Sequence, residues 1–325
     1  MPPSFPIAAC GNGDGDSDSD TDSDTDTDTD ADADSDLSRA SKGTRGNAMP
    51  SPLIVIVAAV HQEIDGLLQG IGAEPAGTIL GQPFWRGALN GCQLLLALTG
   101  IGKVNAAAAT AWLLAAFKVS AVWHLGCAGS YADGPLAVGD VLLSDPVWCG
   151  DEGVLTREAI HSPREIGIPL LRHRGQEIYE QLSVAEDPLF QQLLRLTPPG
   201  RYRLDRDRRL ALPVSSAPGR ADSDQSSAAP SEDWFGFSFG PSVTLGLVSG
   251  DPEVAHERFI RYGAWAENLE GSAVVQTCLR AAVPVIECRA ISNTAGDRDK
   301  HNWRLEAAMN HCHALVHTWL QQFNA

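Results

Sequence analysis

Two glutamates and an asparagine stand where buried strands are expected to end. Glu63 follows the apolar run Leu53-Ile54-Val55-Ile56-Val57-Ala58-Ala59. Glu270 follows Asn268-Leu269, and Asn293 follows Val283-Pro284-Val285-Ile286 and Arg289-Ala290-Ile291-Ser292. In α/β sheets ligands bind at the carboxyl ends of strands. A carboxylate there can activate water or hold sugar hydroxyls. Taken singly, each glutamate reads as a solvated acid at a helix start, where the dipole favours it. A strand-end Asn taken singly reads as a turn residue. The shared position of the two glutamates at one sheet edge favours the functional reading.

Three Gly-rich turns accompany them: Thr99 to Gly102, Gly126 to Gly129, and Ser249 to Asp251. Each lets backbone approach a ligand closely. None is a Walker A loop, and Gly100-Ile101-Gly102 lacks the third glycine of the dinucleotide fingerprint. Cys127 lies in one turn without a His partner placed by sequence, so a small buried residue is the better reading than a nucleophile. His61 and His124 read as packing or surface residues.

The elements that must position these residues alternate along the chain. Strands are expected at Leu53–Ala59, Leu94–Leu98, Ala121–Leu125, Val138–Ser144, Val243–Val248 and Pro284–Ile291. Helices are expected from Glu63 to Gln69, Val104 to Phe117, Glu270 to Ala281 and Leu305 to Phe323. The alternation predicts an α/β domain, a central sheet with helices on both faces. Residues 197–241 show little periodicity. With an Arg cluster at Arg201 to Arg209 and a Ser, Ala, Pro and Asp-rich stretch after it, they predict a partly disordered surface insertion.

Charge is unevenly spread over the 325 residues. Residues 1–49 hold twelve Asp, at every second position from Asp14 to Asp36, against Arg39, Lys42 and Arg45. That tail therefore carries −9 of the formal −17, and residues 50–325 carry −8. A tract of like charges with no apolar partner predicts disorder over 1–49. Met49 opens the first foldable segment, so an upstream tract that is not translated and a genuine solubilising tail both stay open. The moderately acidic remainder argues against a nucleic-acid surface. Residues 1–30 show no basic n-region followed by an apolar run, which argues against a secretory signal, and no apolar run approaches the length of a membrane span. The seven Cys are odd in number and lack metal spacing, which predicts free thiols in the cytoplasm.

Taken together, Gly100-Ile101-Gly102-Lys103-Val104, Gly126-Cys127-Ala128-Gly129, Val138-Gly139-Asp140, Ser249-Gly250-Asp251, Asn268-Leu269-Glu270 and Ala290-Ile291-Ser292-Asn293 resemble the nucleoside phosphorylase and nucleosidase superfamily. The methylthioadenosine/S-adenosylhomocysteine nucleosidase branch is the nearest. Within it, Asp151-Glu152-Gly153, Glu267 to Gly271 and Ser292 to Asp299 with Trp303 resemble the futalosine hydrolases, which release hypoxanthine on a menaquinone route. The resemblance covers roughly residues 52–195 and 243–323. It implies one domain over 50–325, a three-layer α/β/α sandwich with a central mixed sheet.

By the same resemblance Glu63 activates the attacking water. Glu270 binds ribose hydroxyls while Leu269 packs on the sugar. Ala128 and Gly129 flank the ribosyl group and base. Asn293 falls where adenine-specific nucleosidases carry the Asp that protonates N7. An amide cannot act as that acid, but it can donate to a 6-oxo group and accept from N7–H, so Asn293 fits hypoxanthine better than adenine. The leaving-base proton then comes from water or another group, Asp297 among them. Arg298 suits a substrate carboxylate through its bidentate fork, or an ion pair with Asp297 or Asp299.

Glu253 sits near where the nucleosidases place an aromatic residue against the purine, a departure from the resemblance that leaves Trp148 as a candidate partner or a packing residue. An adenine-releasing nucleosidase, a phosphorylase with Lys103 as the nearby cation, and a non-catalytic nucleoside-binding module are the alternatives. A homo-oligomer is implied, and no cofactor or metal.

Overall fold

The apolar runs become the inner strands of a mixed sheet. The computed structural model describes residues 51–215 and 233–323. The Asp-rich tail and most of the Ser, Ala, Pro and Asp-rich stretch lie outside the described residues. In chain order the main strands are β1 (Leu53–Ala58), β2 (Glu74–Ile79), β3 (Gln82–Leu89), β4 (Cys92–Leu98), β5 (Ala121–Ser130) and β6 (Val141–Cys149). They continue with β7 (Gly200–Leu204), β8 (Leu210–Ser215), β9 (Trp234–Thr244), β10 (Ala266–Asn268) and β11 (Val285–Thr294). The helices are α1 (Asp65–Ile71), α2 (Lys103–Ala116), α3 (Pro188–Leu196), α4 (Pro252–Tyr262), α5 (Gly271–Arg280) and α6 (Leu305–Gln322).

The sheet runs β8-β7-β9-β6-β11-β5-β1-β4-β3-β2. The centre is parallel: β1 with β4 and β5, and β5 with β11. Strand β6 is antiparallel to β11 and parallel to β9. Off this path, β10 pairs in parallel with β9 and antiparallel with β5. Strands β6, β11, β5, β10 and β9 therefore close into a ring, a small barrel at one end of the sheet.

Helices cover both faces, which is why the inner strands read as continuous apolar runs instead of alternating ones. Consecutive strand residues point to opposite faces. Accordingly Glu287 abuts Gly271 of α5, while Cys288 Sγ lies 3.6 Å from Cys312 Sγ of α6. Helix α2 packs on α5, and α1 and α3 pack on α6. The result is a three-layer α/β/α sandwich. No helix among the described residues is long and apolar enough to cross a membrane.

Two expectations need correction. The 197–241 segment has regular structure in its described parts: β7, β8 and the start of β9 extend the sheet as antiparallel strands. Tyr202 and Leu204 are buried between exposed Arg201 and Arg203, a period of two that the run of arginines hides. The strand expected at Val243–Val248 ends at Thr244 and begins at Trp234 instead. From there Phe235 and Phe237 alternate into the core.

Candidate active site

Strand β1 delivers Glu63 through a single 3-10 turn, His61–Glu63. The Glu63 side chain is buried, and its carboxylate accepts three backbone N–H groups. Ala59 and Val60 donate to Oε2 at 2.9 and 3.2 Å, and Cys127 donates to Oε1 at 2.9 Å. From α6, His313 Nε2 donates to the Glu63 carbonyl at 2.8 Å and pins the turn from behind. Two strand ends, β1 and β5, thus fix one carboxylate at the ring's mouth.

Glu270 reaches the same space from β10, at the N-cap of α5. Gly102, at the start of α2, donates its N–H to Glu270 Oε1 at 2.9 Å. Gly102 has φ +93°, a backbone that suits glycine. Burial pushes the Glu270 carboxyl above its ordinary range, and the Arg289 guanidinium and the Gly102 N–H oppose that rise.

Beneath both glutamates lies a residue the sequence reading did not single out. Arg289, in the middle of β11, is fully buried. Its Nε donates to Glu287 Oε1 at 2.5 Å, and Nη2 lies 3.1 Å from the His124 ring. Burial works to lower the Arg289 guanidinium, but Glu287, then Glu270 and Glu63, outweigh it and keep it charged. Burial, then Arg289, drives His124 well below its ordinary value, so this imidazole is neutral. Gly126 makes room for the guanidinium, because a Cβ there would collide with Arg289 Nη1. The signal was present: a lone arginine between Cys288 and Ala290 in an apolar run has to be paired.

Asn293 closes β11 beside Gly129, its register partner on β5. Ser292 Oγ donates to Asn293 Oδ1 at 2.9 Å, and Asn293 Nδ2 donates to the Thr294 carbonyl at 2.9 Å. One N–H and one carbonyl lone pair of the amide are left for a ligand. Cys127 is beside them, its thiol pushed up to about 12 by burial and by Glu63, which rules out a thiolate nucleophile at neutral pH.

Of these residues, Glu63, Cys127, Glu270, Ser292 and Asn293 line one cavity of about 330 Å³, and Arg289 lies behind its wall. Glu63, Ala128, Gly129, Leu269, Glu270, Asn293 and Arg298, all expected at the site, are in its wall, as are Glu267, Ser249 and Trp303. Val60, Ile101, Val248 and Leu269 give it apolar surface. The volume suits a small ligand. At the mouth Arg298 is exposed, its guanidinium 5.3 Å from the centroid of the Trp303 ring. Among the described residues no carboxylate lies within ion-pair distance of it, so the alternative pairing with Asp297 or Asp299 is not made.

Other candidates fall elsewhere. Asp297 turns its carboxylate to the Asp299 N–H and the Asn302 amide, outside the cavity wall. Trp148 packs near Tyr262, ring centroids 6.0 Å apart, and lines a different pocket. Glu253 is exposed on the first turn of α4. Lys103 Nζ is taken by Asp151 at 2.5 Å and Glu152 at 2.8 Å.

With this geometry in view, residues 53–321 match the phosphorylase superfamily. The chain belongs to that superfamily. A futalosine hydrolase of Thermus thermophilus is 32% identical over 234 residues, covering 71% of this chain and 84% of the relative. A 5'-methylthioadenosine/S-adenosylhomocysteine nucleosidase of Anoxybacillus flavithermus is 26% identical over 280 residues, covering 83% and 99%. The crystal structure of the corresponding Neisseria meningitidis nucleosidase, in complex with methylthio-immucillin-A, superposes with a TM-score of 0.60 at 23% identity. It covers 83% of this chain and 99% of that one, and it shares the fold. By this kinship the superfamily member described here is a nucleosidase, an enzyme that hydrolyses N-glycosidic bonds.

Proposed function

We propose that residues 50–325 form a 6-oxopurine nucleosidase that hydrolyses futalosine to hypoxanthine and the dehypoxanthine product. The observation that carries this reading is Asn293, an amide at the base end of the cavity with one N–H and one lone pair free. The free N–H suits the 6-oxo group, and the carbonyl suits N7–H as the base leaves. Water adds through oxygen to the anomeric carbon as the C–N bond breaks and its electron pair goes to the base. Glu63 takes the proton of the attacking water, and a second water supplies the proton at N7. Glu270 accepts from the ribose hydroxyls, and Leu269 packs on the sugar. Ala128 and Gly129 leave room for the ribosyl group and base.

Arg298 binds the substrate's carboxylate at the mouth, and Trp303 covers the group that carries it. Water is favoured over phosphate as nucleophile because the cations beside the two glutamates are engaged, Lys103 by two carboxylates and Arg289 by Glu287, and the unpaired Arg298 is at the mouth. The adenine-releasing alternative is supported by the Anoxybacillus relative and opposed by Asn293. The six cysteines among the described residues are free thiols, which fits a cytoplasmic enzyme. Exposed Val104 and Trp112 on α2, beside exposed Ile101, fit a homo-oligomer contact.

The test is to incubate the full chain with futalosine, methylthioadenosine and inosine, each with and without phosphate, and identify the released base. Hypoxanthine from futalosine, independent of phosphate, is expected. Adenine release with no hypoxanthine from futalosine refutes the reading, and phosphate dependence favours a phosphorylase.

A further inference from the structure

Behind the wall that carries Glu63 stands a histidine that apolar packing does not explain. His313, on the side of α6 that packs on α1, is 8% exposed. Its Nε2 donates to the Glu63 carbonyl at 2.8 Å, and its Nδ1 is buried with no hydrogen-bond partner among the described residues. A buried, unpaired ring nitrogen is unfavourable, and a leucine of similar size would avoid it. What a leucine cannot supply is the N–H at Nε2. Gly66 of α1 makes room for the ring, since a Cβ there would lie 2.7 Å from Nδ1. Glycine within a helix is itself unfavourable, so two unfavourable choices meet at this one contact.

The backbone of the corner does not fix the Glu63 carbonyl by itself. The turn His61–Glu63 closes with the Glu63 N–H on the Val60 carbonyl at 3.1 Å. The helical bonds of α1 begin one residue later, where Leu67 and Leu68 donate to the Ile64 carbonyl at 3.0 and 2.9 Å. Between the two, Ile64 has φ −129° and ψ −6°, outside the α-helical range. The Glu63 carbonyl therefore belongs to neither set of bonds, and a side chain from α6 takes it. Burial lowers His313 below its ordinary range against the pull of the Glu63 carbonyl and Asp65, so the ring is neutral and its proton sits on the nitrogen that faces an acceptor.

We infer that His313 is a positioning residue: by holding the Glu63 carbonyl it fixes the peptide from which the carboxylate is aimed into the cavity, and Gly66 keeps its ring in place. Ala59 and Val60 also hold the carboxylate, but they belong to the same corner and turn with it. His313 and Cys127 anchor Glu63 from outside that corner. A displacement on the order of 1 Å in a reacting group is enough to cost about 10²-fold in rate. The inference rests on the reading of Glu63 as the group that activates water, and not on which base leaves.

The test is a double-mutant cycle on the full chain, with futalosine as substrate or, where adenine is the base released, methylthioadenosine. His313→Leu should lower kcat by about 10- to 100-fold with KM changed less than about twofold. His313→Gln, whose amide offers an N–H at similar reach, should recover most of that loss. In a Glu63→Gln background, His313→Leu should change kcat by less than about twofold, because the group it aims is gone. An unchanged kcat in His313→Leu, no recovery in His313→Gln, or the same loss in both backgrounds overturns the inference. Wild-type turnover in Glu63→Gln alone overturns instead the reading of Glu63 on which it rests. Gly66→Ala, which pushes the ring from the other side, is the second variant if His313→Leu lowers the folded fraction in thermal unfolding. It should lower kcat in the same way and add nothing to Glu63→Gln, and a folded Gly66→Ala enzyme with wild-type kcat overturns the inference.

Discussion

At the floor of the cavity Glu63 and Glu270, with Arg289 behind them, are buried and braced by neighbouring strands and turns, whereas at its mouth Arg298 is exposed and lies over Trp303. The floor is set by sheet register: β1, β5, β10 and β11 each contribute, and Glu63, Glu270 and Arg289 are each hydrogen-bonded to another element. The mouth is set by the loop that runs from Gly296 to Trp303. Its internal bonds, such as Asn302 to Asp297 at 2.9 Å, tie the loop to itself. On the proposed reading, reaction chemistry sits where geometry is over-determined, and recognition of the substrate's far end sits at an exposed side chain. A site of this design can change its substrate without changing its reaction.

The largest test of that contrast is at Glu63. Glu63→Gln should lower kcat by about 10³-fold with little change in KM, within the range of a lost general base. Wild-type turnover in steady-state kinetics would remove Glu63 from the reaction. Next, Arg289→Met should destabilise the fold by about 3–5 kcal/mol, because Glu287 would be left buried and unpaired. Denaturant unfolding measures it, and a loss below about 1 kcal/mol would show the floor to be less tightly braced than described.

At the base, Asn293→Asp should raise the ratio of adenine to hypoxanthine release by at least about tenfold. Product chromatography reads that ratio, and an unchanged one would show that Asn293 does not select the base. For Glu270 the sign follows from burial, which raises its carboxyl. A larger fraction is then protonated at mildly acidic pH, which removes the charge, turns one oxygen into a donor and weakens the proposed hold on the ribose hydroxyls. The acid limb of kcat/KM should therefore fall above the ordinary Glu value of about 4.3, and a profile flat down to that pH would refute it.

The smallest effect belongs to the mouth. Arg298→Ala should raise KM about tenfold for a carboxylate-bearing nucleoside and leave inosine unaffected. An equal change for both substrates would mean that Arg298 shapes the loop and does not bind the carboxylate.

Much of the floor was legible because it rests on local signals. The runs at Leu53 and Val283 give strands whose ends must present Glu63 and Asn293, and Gly126 and Gly129 mark close approach. Three features were less readable, each for a physical reason. Arg289 hides in an apolar run because its partners, Glu287, Glu270 and His124, come from other segments or from the same strand face. Glu267 is next to residues that were noticed, but its position opposite Asn293 depends on how β10 pairs with β5, a long-range fact. Strand β7 was masked because its exposed alternate positions are arginines, which read as a charge cluster before they read as a period. The Asp297 carboxylate shows the converse: a residue of the right type, close in sequence, turned away by its own loop.

The ring of strands has one consequence for how variation in this chain should be interpreted. Its closure depends on β10, only three residues long, and those residues also present Glu267 to the cavity and place Asn268 in the polar cluster around Glu287. Ala266–Asn268 is at once a keystone and a contact surface. A substitution there draws on foldedness and on ligand recognition together, so an inactive variant in this tripeptide is ambiguous until its folded fraction has been measured separately.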